Sequence, residues 1–187
     1  VNSLAKLGAE TEAVTPPVMA ACSGTETPPG LIALLPLPNL FPPSPIDLAL
    51  VLDGLSDPGN LGTLLRTAMA AGVQSVLLTG DTVDPFNPKV VRAAAGAHFH
   101  LPIQPAAVED LPALLEGLDL WLAEARTGPA HTRVDWRPPC ALIIGSEAHG
   151  PSDAVRRLPL RPVHIATARQ TESLNAAVAA AVVLFEI

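Results

Sequence analysis

One stretch of the chain, from Asp53 to Gly72, limits the choice of fold most strongly, because it joins a strand to a turn and then to a helix. The apolar run 48–52 before it is typical of a strand that is covered on both faces in a parallel sheet. Turn-forming residues at 57–59 end the strand, and apolar residues then recur at the spacing of one helical face. The free N–H groups at the start of such a helix favour an anionic ligand such as a phosphate. The stretch therefore predicts a binding site where a buried strand passes into a helix.

Two later stretches have the same order of strand, polar loop and helix. One begins with the apolar run 141–144 and continues through a polar loop to Ser152, and the other leads from Val163 to Asn175. Strands that alternate with helices predict an α/β fold, with a mostly parallel sheet and helices on both faces. Ligands bind beyond the carboxyl ends of such strands, so we expect the three stretches to share one pocket.

The same periodicity places the regular elements along the chain. The predicted strands are 47–52, 75–79, 98–101, 119–124, 140–145 and 162–165. The predicted helices are 60–72, 88–95, 108–116, 152–157 and 173–186. The last helix is apolar nearly all round, which predicts burial on more than one side and a homodimer interface that includes Ala180. Burial of this helix within one subunit is the alternative.

The three stretches resemble the three signature motifs of the SpoU (TrmH-like) family of RNA ribose 2′-O-methyltransferases, within the SPOUT class. The segment 84–97 also resembles that family, and the resemblance covers residues 47–187. It implies an S-adenosylmethionine-dependent enzyme that methylates a ribose 2′-hydroxyl, with ribosomal RNA favoured over transfer RNA as the substrate. It also implies a homodimer and a C-terminal trefoil knot, which sequence reasoning alone would not propose because knots are rare.

The resemblance assigns roles to individual residues. It implies that the cofactor's adenine end is held by Gly145, Ile165 and Leu174. It implies that the catalytic positions are Arg66, Asn60, Glu147, Ser173 and Asn175, and RNA contacts are expected from Arg66, Lys89 and Arg92. A guanidinium stays protonated in proteins, so we expect Arg66 to bind an RNA phosphate and to stabilise negative charge, although some proposals for the family make it the base.

Several of these residues also have an ordinary structural interpretation. Ser173 is a suitable N-cap for the last helix, whereas Asn175 is predicted to lie inside that helix. Glu147 either compensates a helix dipole or accepts a hydrogen bond that orders Arg66 or Asn60. In the structural interpretation, Gly145 is an ordinary glycine at the end of a strand.

The second motif departs from the usual family pattern at Ala148, His149 and Pro151. Alanine in place of glycine disfavours a positive φ, and proline stiffens the loop. We therefore expect this chain to differ from the family most in its cofactor-contact geometry.

The charge of the chain limits how it could bind RNA. Its formal net charge of −7 argues against a protein that coats nucleic acid, because sequence-independent binding depends on lysine and arginine contacts with phosphates. The basic residues cluster around the motifs, so a local RNA-binding surface is expected. Arg156 and Arg157 are individually better explained as solvated charges than as base contacts.

Neither a metal site nor a membrane segment is expected. Cys22 and Cys140 lie far apart without zinc-ligand spacing. His98 and His100, predicted on one strand face, lack a third ligand, which favours a structural role over zinc binding. No apolar run approaches the roughly 20 residues that cross a bilayer, and no signal-peptide pattern is found, so the sequence predicts a soluble, cytoplasmic protein.

The first 46 residues differ in composition from the rest. Nine of the 21 prolines fall between Pro16 and Pro45, which favours an extended or turn-rich connection. The segment 22–38 resembles the tail of a small ribosomal-protein-like RNA-binding domain that precedes the catalytic domain in many family members. We expect residues 1–46 to be a remnant of that domain plus a linker, and residues 47–187 to be the catalytic domain. Either the rest of that domain was lost, or the chain is a fragment.

Three other functions are alternatives to this prediction. Methylation of transfer RNA, and a non-catalytic RNA-binding or assembly factor that keeps the fold, both stay open at this point. A dinucleotide-dependent oxidoreductase is disfavoured, because the turn that follows the strand at 48–52 lacks the G-x-G-x-x-G pattern.

Overall fold

The computed structural model describes residue 6, residues 8–23, residue 25, residues 27–168 and residues 174–187. The chain divides into two compact units, Val1–Leu37 and Pro38–Ile187. In the first unit, helix α1 (Pro16–Ser23) has no buried residue. The predicted boundary between residues 46 and 47 stays a prediction.

The second unit is built on a parallel sheet, whose described strands number six. They are β1 (Leu48–Asp53), β2 (Ser75–Thr79), β3 (Ile103–Pro105), β4 (Asp119–Glu124), β5 (Cys140–Gly145) and β6 (Arg161–His164). Their order across the sheet is β3-β2-β1-β5-β4-β6, and each pairing between neighbours is parallel. The predicted parallel α/β architecture is therefore confirmed.

Helices cover both faces of this sheet. They are α2 (Pro58–Ala70), α3 (Pro88–Ala94), α4 (Leu111–Leu114), α5 (Asp153–Arg156) and α6 (Ala176–Leu184), with short 3₁₀ helices at Ala97–Phe99, Val108–Asp110 and His131–Arg133. Alternate side chains of β1 point to opposite faces. Leu50 and Leu52 belong to a core with residues of α2 and α6, whereas Ala49 and Val51 belong to a second core with residues of α4 and α5. β1 therefore lies between two apolar layers.

The central strands end at the same level. Asp53 is in register with Thr79 of β2 and with Gly145 of β5. The loops that follow β1, β2 and β5 consequently leave the sheet side by side, as expected for a site beyond the carboxyl ends of parallel strands.

Most predicted elements are found within a few residues of their expected positions. The strands predicted at 75–79, 119–124 and 140–145 have these bounds in the structure. The helix predicted at 108–116 is instead a 3₁₀ turn followed by the four residues of α4.

The strand predicted at 98–101 is wrong. The chain leaves α3 through Ala95 and Gly96, which have φ angles of 48° and 92°. This left-handed turn leads directly into the 3₁₀ helix at Ala97–Phe99, and β3 begins only at Ile103. The predicted pairing of His98 and His100 on a strand face is therefore wrong too, since His98 is buried with its Nε2 at 2.7 Å from the Pro85 carbonyl oxygen, whereas His100 is exposed.

Gly62 of the first motif packs two helices together. An added Cβ there would lie 2.7 Å from the Val90 carbonyl oxygen and would overlap the Cβ of Ala93. The absence of a side chain thus lets α2 approach α3 closely.

We expect Gly62→Ala to lower the free energy of unfolding by about 1–3 kcal/mol, because a methyl group forced against α3 backbone cannot be accommodated by a side-chain rotation. Thr63→Ala is the matched control, since Thr63 is exposed on the same helix. Urea denaturation of both variants measures the difference. Equal stability of the two would show that α3 can move away at no cost.

Cys140 lies buried in β5. Burial raises the pKa of the Cys140 thiol to about 11, so this side chain stays protonated inside β5. No group of three histidine, cysteine or acidic residues suited to a metal occurs in the part of the chain that the structure describes. Within the same part, no helix combines the length and the apolar character needed to cross a membrane.

Candidate active site

An open cleft of about 490 Å³ lies beyond the carboxyl ends of β4, β5 and β6. Its larger apolar side chains are Ile144, Val163, Ile165, Leu174 and Val183. Its polar side chains are Asn60, Glu124, Ser146, Glu147, Arg156, Thr167 and Asn175. The volume is typical of sites for small organic ligands. All three sequence motifs contribute to the lining, which agrees with the shared pocket that was expected.

The three predicted cofactor residues Gly145, Ile165 and Leu174 all line this cleft. Of the predicted catalytic residues, Asn60, Glu147 and Asn175 line it as well. Ser173 lies outside the described residues.

A series of hydrogen bonds connects the three motifs at the cleft. Asn60 Nδ2 donates to Glu147 Oε1 at 2.7 Å, and Asn175 Nδ2 donates to Asn60 Oδ1 at 3.0 Å. Asn175 Oδ1 in turn accepts the backbone N–H groups of Ala177 and Val178 at 3.0 and 3.2 Å. Asn175 is therefore the N-cap of α6, and its predicted position inside that helix is wrong.

The direction of these bonds fixes both amide groups. Each amide donates toward Glu147 and accepts on the side of the α6 N-terminus, so the positive end of the α6 dipole is connected to a carboxylate. Such polarised chains strengthen their members. Glu147 Oε1 is the acceptor at the far end of this series.

Asn60 itself is fixed by the start of α2. Asp57 is the N-cap of this helix, and its Oδ1 accepts the backbone N–H of Asn60 at 2.7 Å. Pro58 occupies the first turn, where the missing N–H costs nothing. The turn residues Asp57 and Pro58 thus place Asn60 at the edge of the cleft.

The loop of the second motif is a small closed turn above Gly145. Ser146 and Gly150 exchange two backbone hydrogen bonds of 2.8 and 3.1 Å. A Cβ at position 145 would lie 2.5 Å from the carbonyl carbon of Gly150 and would overlap Pro151, so the folded loop requires glycine here. The left-handed φ of 70° belongs to Gly150, and Ala148 has an ordinary negative φ. Ala148 is therefore compatible with the backbone conformation of this loop.

Arg66 is not among the described residues that line this cleft. It is exposed on α2, six residues after Asn60, which corresponds to a rotation of roughly 240° around the helix axis and turns the two side chains to different sides. Lys89 and Arg92 are exposed on α3, which packs against α2. None of these three cations forms an ion pair with another described residue, in contrast to Arg137, Arg156 and Arg161. Their RNA contacts stay predictions.

Two charged residues of the cleft were not predicted. Glu124, at the end of β4, accepts a hydrogen bond of 2.9 Å from Arg156 Nη1. This ion pair lies at a partly exposed part of the lining. Glu124 could have been found from its position as the last residue of the predicted strand 119–124, but the sequence gives no indication that Arg156 is its partner.

Comparison with known proteins identifies the same segments. The model of the SpoU rRNA Methylase family matches residues 47–185. A Synechocystis protein called an uncharacterized tRNA/rRNA methyltransferase is 42% identical over 176 residues, which cover 90% of this chain and 64% of that protein. The Bacillus subtilis 23S rRNA (guanosine(2553)-2′-O)-methyltransferase RlmP is 35% identical over 172 residues, which cover 90% of this chain and 68% of RlmP.

Solved structures agree with this match. The SpoU methyltransferase AviRb from Streptomyces viridochromogenes, in complex with AdoMet, superposes with a TM-score of 0.69 at 31% identity over 77% of this chain and 60% of AviRb. An AdoMet-bound rRNA methyltransferase from Sinorhizobium meliloti gives a TM-score of 0.78 at 30% identity over 92% of this chain and 69% of that protein. The chain thus spans less than two thirds of the length of the Synechocystis protein and of AviRb.

Proposed function

Because the chain belongs to the SpoU rRNA methylase family, we propose that it transfers a methyl group from S-adenosylmethionine to a ribose 2′-hydroxyl of RNA. The observation that carries this proposal is the hydrogen-bonded series of Glu147, Asn60 and Asn175, which joins the three family motifs at one cleft. Ribosomal RNA is favoured as the substrate because RlmP, a relative over 90% of this chain, is named for ribose methylation of 23S rRNA.

The cleft suits the chemistry of S-adenosylmethionine. An adenine ring is held best between aliphatic walls with backbone amides at its edge. Ile165 and Leu174 supply such walls, and the loop above Gly145 brings backbone groups to the same place. Glu124 and Arg156 add opposite charges to the lining, as expected for a ligand with an amino group and a carboxylate. When bound, S-adenosylmethionine supplies an electrophilic methyl group on a sulfonium centre.

The remaining requirement falls on residues of the chain, which have to orient the ribose and favour loss of its 2′-hydroxyl proton. A neutral hydroxyl is a weak nucleophile, so negative charge develops on its oxygen as the methyl carbon is attacked. Arg66, which has no ion-pair partner among the described residues, can bind the adjacent phosphate through its planar fork and stabilise that charge. Orientation alone can contribute a large part of the rate.

Exchanging the donor and the acceptor of the hydrogen bond between Asn60 and Glu147 tests whether this series takes part in methyl transfer. Asn60→Asp would place a second carboxylate at the 2.7 Å position next to Glu147, and we expect methylation to fall by about 10- to 100-fold. Adding Glu147→Gln to that variant should recover most of the activity, because the glutamine amide would donate to the new carboxylate. Initial rates of methyl transfer from labelled S-adenosylmethionine measure both. A double variant no better than Asn60→Asp would remove the series from the mechanism.

The function itself is tested by methyl transfer to purified RNA. We expect labelled methyl groups to enter ribosomal RNA at a site that then resists alkaline cleavage, since a 2′-O-methyl group blocks attack on the phosphate. Transfer RNA is the comparison substrate, and its exclusive methylation would reassign the substrate. Binding of S-adenosylmethionine without transfer to either RNA would support a non-catalytic factor.

The proposal extends to the knot, the dimer and the N-terminal segment. We propose that the C-terminal segment of the chain forms a trefoil knot, and that two chains associate through α6. We also propose that residues 1–46 link the catalytic domain to RNA binding; the exposed apolar side chains at Leu34, Leu35 and Leu37 support a contact surface in this segment. The cytoplasmic location stays a prediction.

A further inference from the structure

The buried acid at the end of β1 has no role in the chemistry described so far. Asp53 is only 1% exposed, and none of its atoms lines the cleft. A buried carboxylate is costly unless it accepts strong hydrogen bonds. Asp53 accepts two, one from the end of β2 and one from the start of α5.

These two bonds connect the ends of two strands, β1 and β2, with the start of α5. Asp53 Oδ1 accepts the Thr79 hydroxyl at 2.8 Å, at the end of β2. Asp53 Oδ2 accepts the backbone N–H of Ser152 at 2.6 Å, and Ser152 is the last residue of the loop of the second motif. The first bond holds the carboxylate in place, and the second holds the loop.

The loop so held carries the residues that the cleft needs. Its start is the Gly145 end of β5, its tip carries Glu147, and its last residue, Ser152, is the N-cap of α5. The first motif therefore fixes the loop of the second motif through two hydrogen bonds. Asn60 holds the tip through Glu147, and Asp53 holds the base through Ser152.

We propose that Asp53 is a positioning residue that fixes the loop 145–152 over the cofactor cleft, so that loss of its hydrogen-bond acceptor weakens cofactor binding. The inference rests on the proposed function, because it takes S-adenosylmethionine as the ligand of the cleft. It goes beyond that function in assigning a role to a residue that touches neither cofactor nor RNA.

The test compares Asp53→Ala with Asp53→Asn in the full chain. Asparagine keeps an oxygen for the Ser152 N–H and can turn its amide toward the Thr79 hydroxyl, which is able to accept. We expect Asp53→Ala to raise the Kd for S-adenosylhomocysteine by about 10-fold or more, and Asp53→Asn to stay within about 3-fold of the unaltered chain. RNA affinity should not change in either variant.

Ser152→Ala is the matched control. It removes the hydroxyl that accepts the Val155 N–H at 3.3 Å, but it keeps the backbone N–H that Asp53 holds. It should therefore destabilise α5 without a comparable loss of cofactor affinity. Calorimetric titration of all variants with S-adenosylhomocysteine gives the Kd values.

The possible results separate the two proposals. If the unaltered chain does not bind S-adenosylhomocysteine, the proposed function fails. If it binds and a folded Asp53→Ala variant binds equally well, or if Asp53→Asn loses as much affinity as alanine, the role of Asp53 is overturned. If the alanine variant does not fold, hydrogen exchange of the Ser152 amide in the unaltered chain decides: slow exchange supports the anchor, and exchange at the rate of an open loop overturns it.

Discussion

Replacing Arg66 with alanine should reduce methylation by about 100- to 1000-fold while leaving the affinity for S-adenosylmethionine nearly unchanged. The separation of the two effects follows from geometry, because Arg66 is exposed on α2 and is not among the residues that line the cleft. Arg66→Lys should give an intermediate rate, since lysine keeps the charge but loses the planar fork that matches a phosphate. Single-turnover rates and calorimetric Kd values measure the two quantities.

Arg157→Ala is the control for this experiment. Arg157 is also an exposed arginine, but it follows α5 and lies outside the cleft lining. Its removal should change the rate by less than about 3-fold, as is usual for a solvated charge. A near wild-type rate for Arg66→Ala would exclude this side chain from the mechanism, and an equal loss in both variants would indicate a general effect of positive charge on RNA binding.

Introducing a glutamate at Val178 should separate the proposed dimer into monomers. The outward face of α6 carries a stripe of apolar side chains with Val178 51%, Val182 38% and Phe185 66% exposed. A carboxylate buried without a partner in a two-fold contact would face its own copy or apolar groups, so we expect Val178→Glu to weaken association by at least about 100-fold. Light scattering over a range of micromolar concentrations measures the change.

Leu114→Glu is the matched control for this variant. Leu114 is 41% exposed and lies on α4, which packs on the other face of the sheet. It should keep the oligomeric state of the unaltered chain. An unaltered chain that is monomeric and active would refute the dimer, and a dimer that survives Val178→Glu would place the interface elsewhere.

The same helix shows where sequence reasoning reached its limit. Its apolar residues on all sides indicated two contacts, but they did not tell which side meets the core. Ala180, which we expected on the interface, is fully buried against the sheet, together with Ala177 and Val183. Ala180→Glu would therefore unfold the domain instead of testing the dimer. Alanine and valine occur on both the buried and the exposed side of this helix, so only packing distinguishes the two faces.

Strands were easier to predict than contacts. An apolar run bounded by turn residues identifies a buried parallel strand within a residue, as at 119–124 and 140–145. The alternation of histidine and phenylalanine at 98–100 imitated a strand, but the left-handed Ala95 and Gly96 before it made one impossible there. Local backbone geometry of this kind is not encoded in hydrophobic periodicity.

The sequence identified individual residues of the site, but it did not predict the hydrogen bonds that connect them. The resemblance singled out Asn60, Glu147 and Asn175, yet 115 positions separate Asn60 from Asn175, and no local signal relates them. Glu147 was expected to order either Arg66 or Asn60, and the structure pairs it with Asn60. The role of Asp53 has no signal in the sequence, because burial of a carboxylate at a strand end is visible only once its two donors are in place.

The central position of β1 has a consequence for how this protein is made. β1 pairs with β5, and residues 54–139 lie between them, so the middle of the sheet cannot close until most of the domain has been synthesised. At translation rates of about 5–20 residues per second, this takes on the order of ten seconds. During that time β1, β2 and β3 can form at most half a sheet, with the backbone edge of β1 unpaired. The nascent chain therefore exposes an apolar strand edge of the kind that chaperones bind, and its yield on expression should depend on their supply.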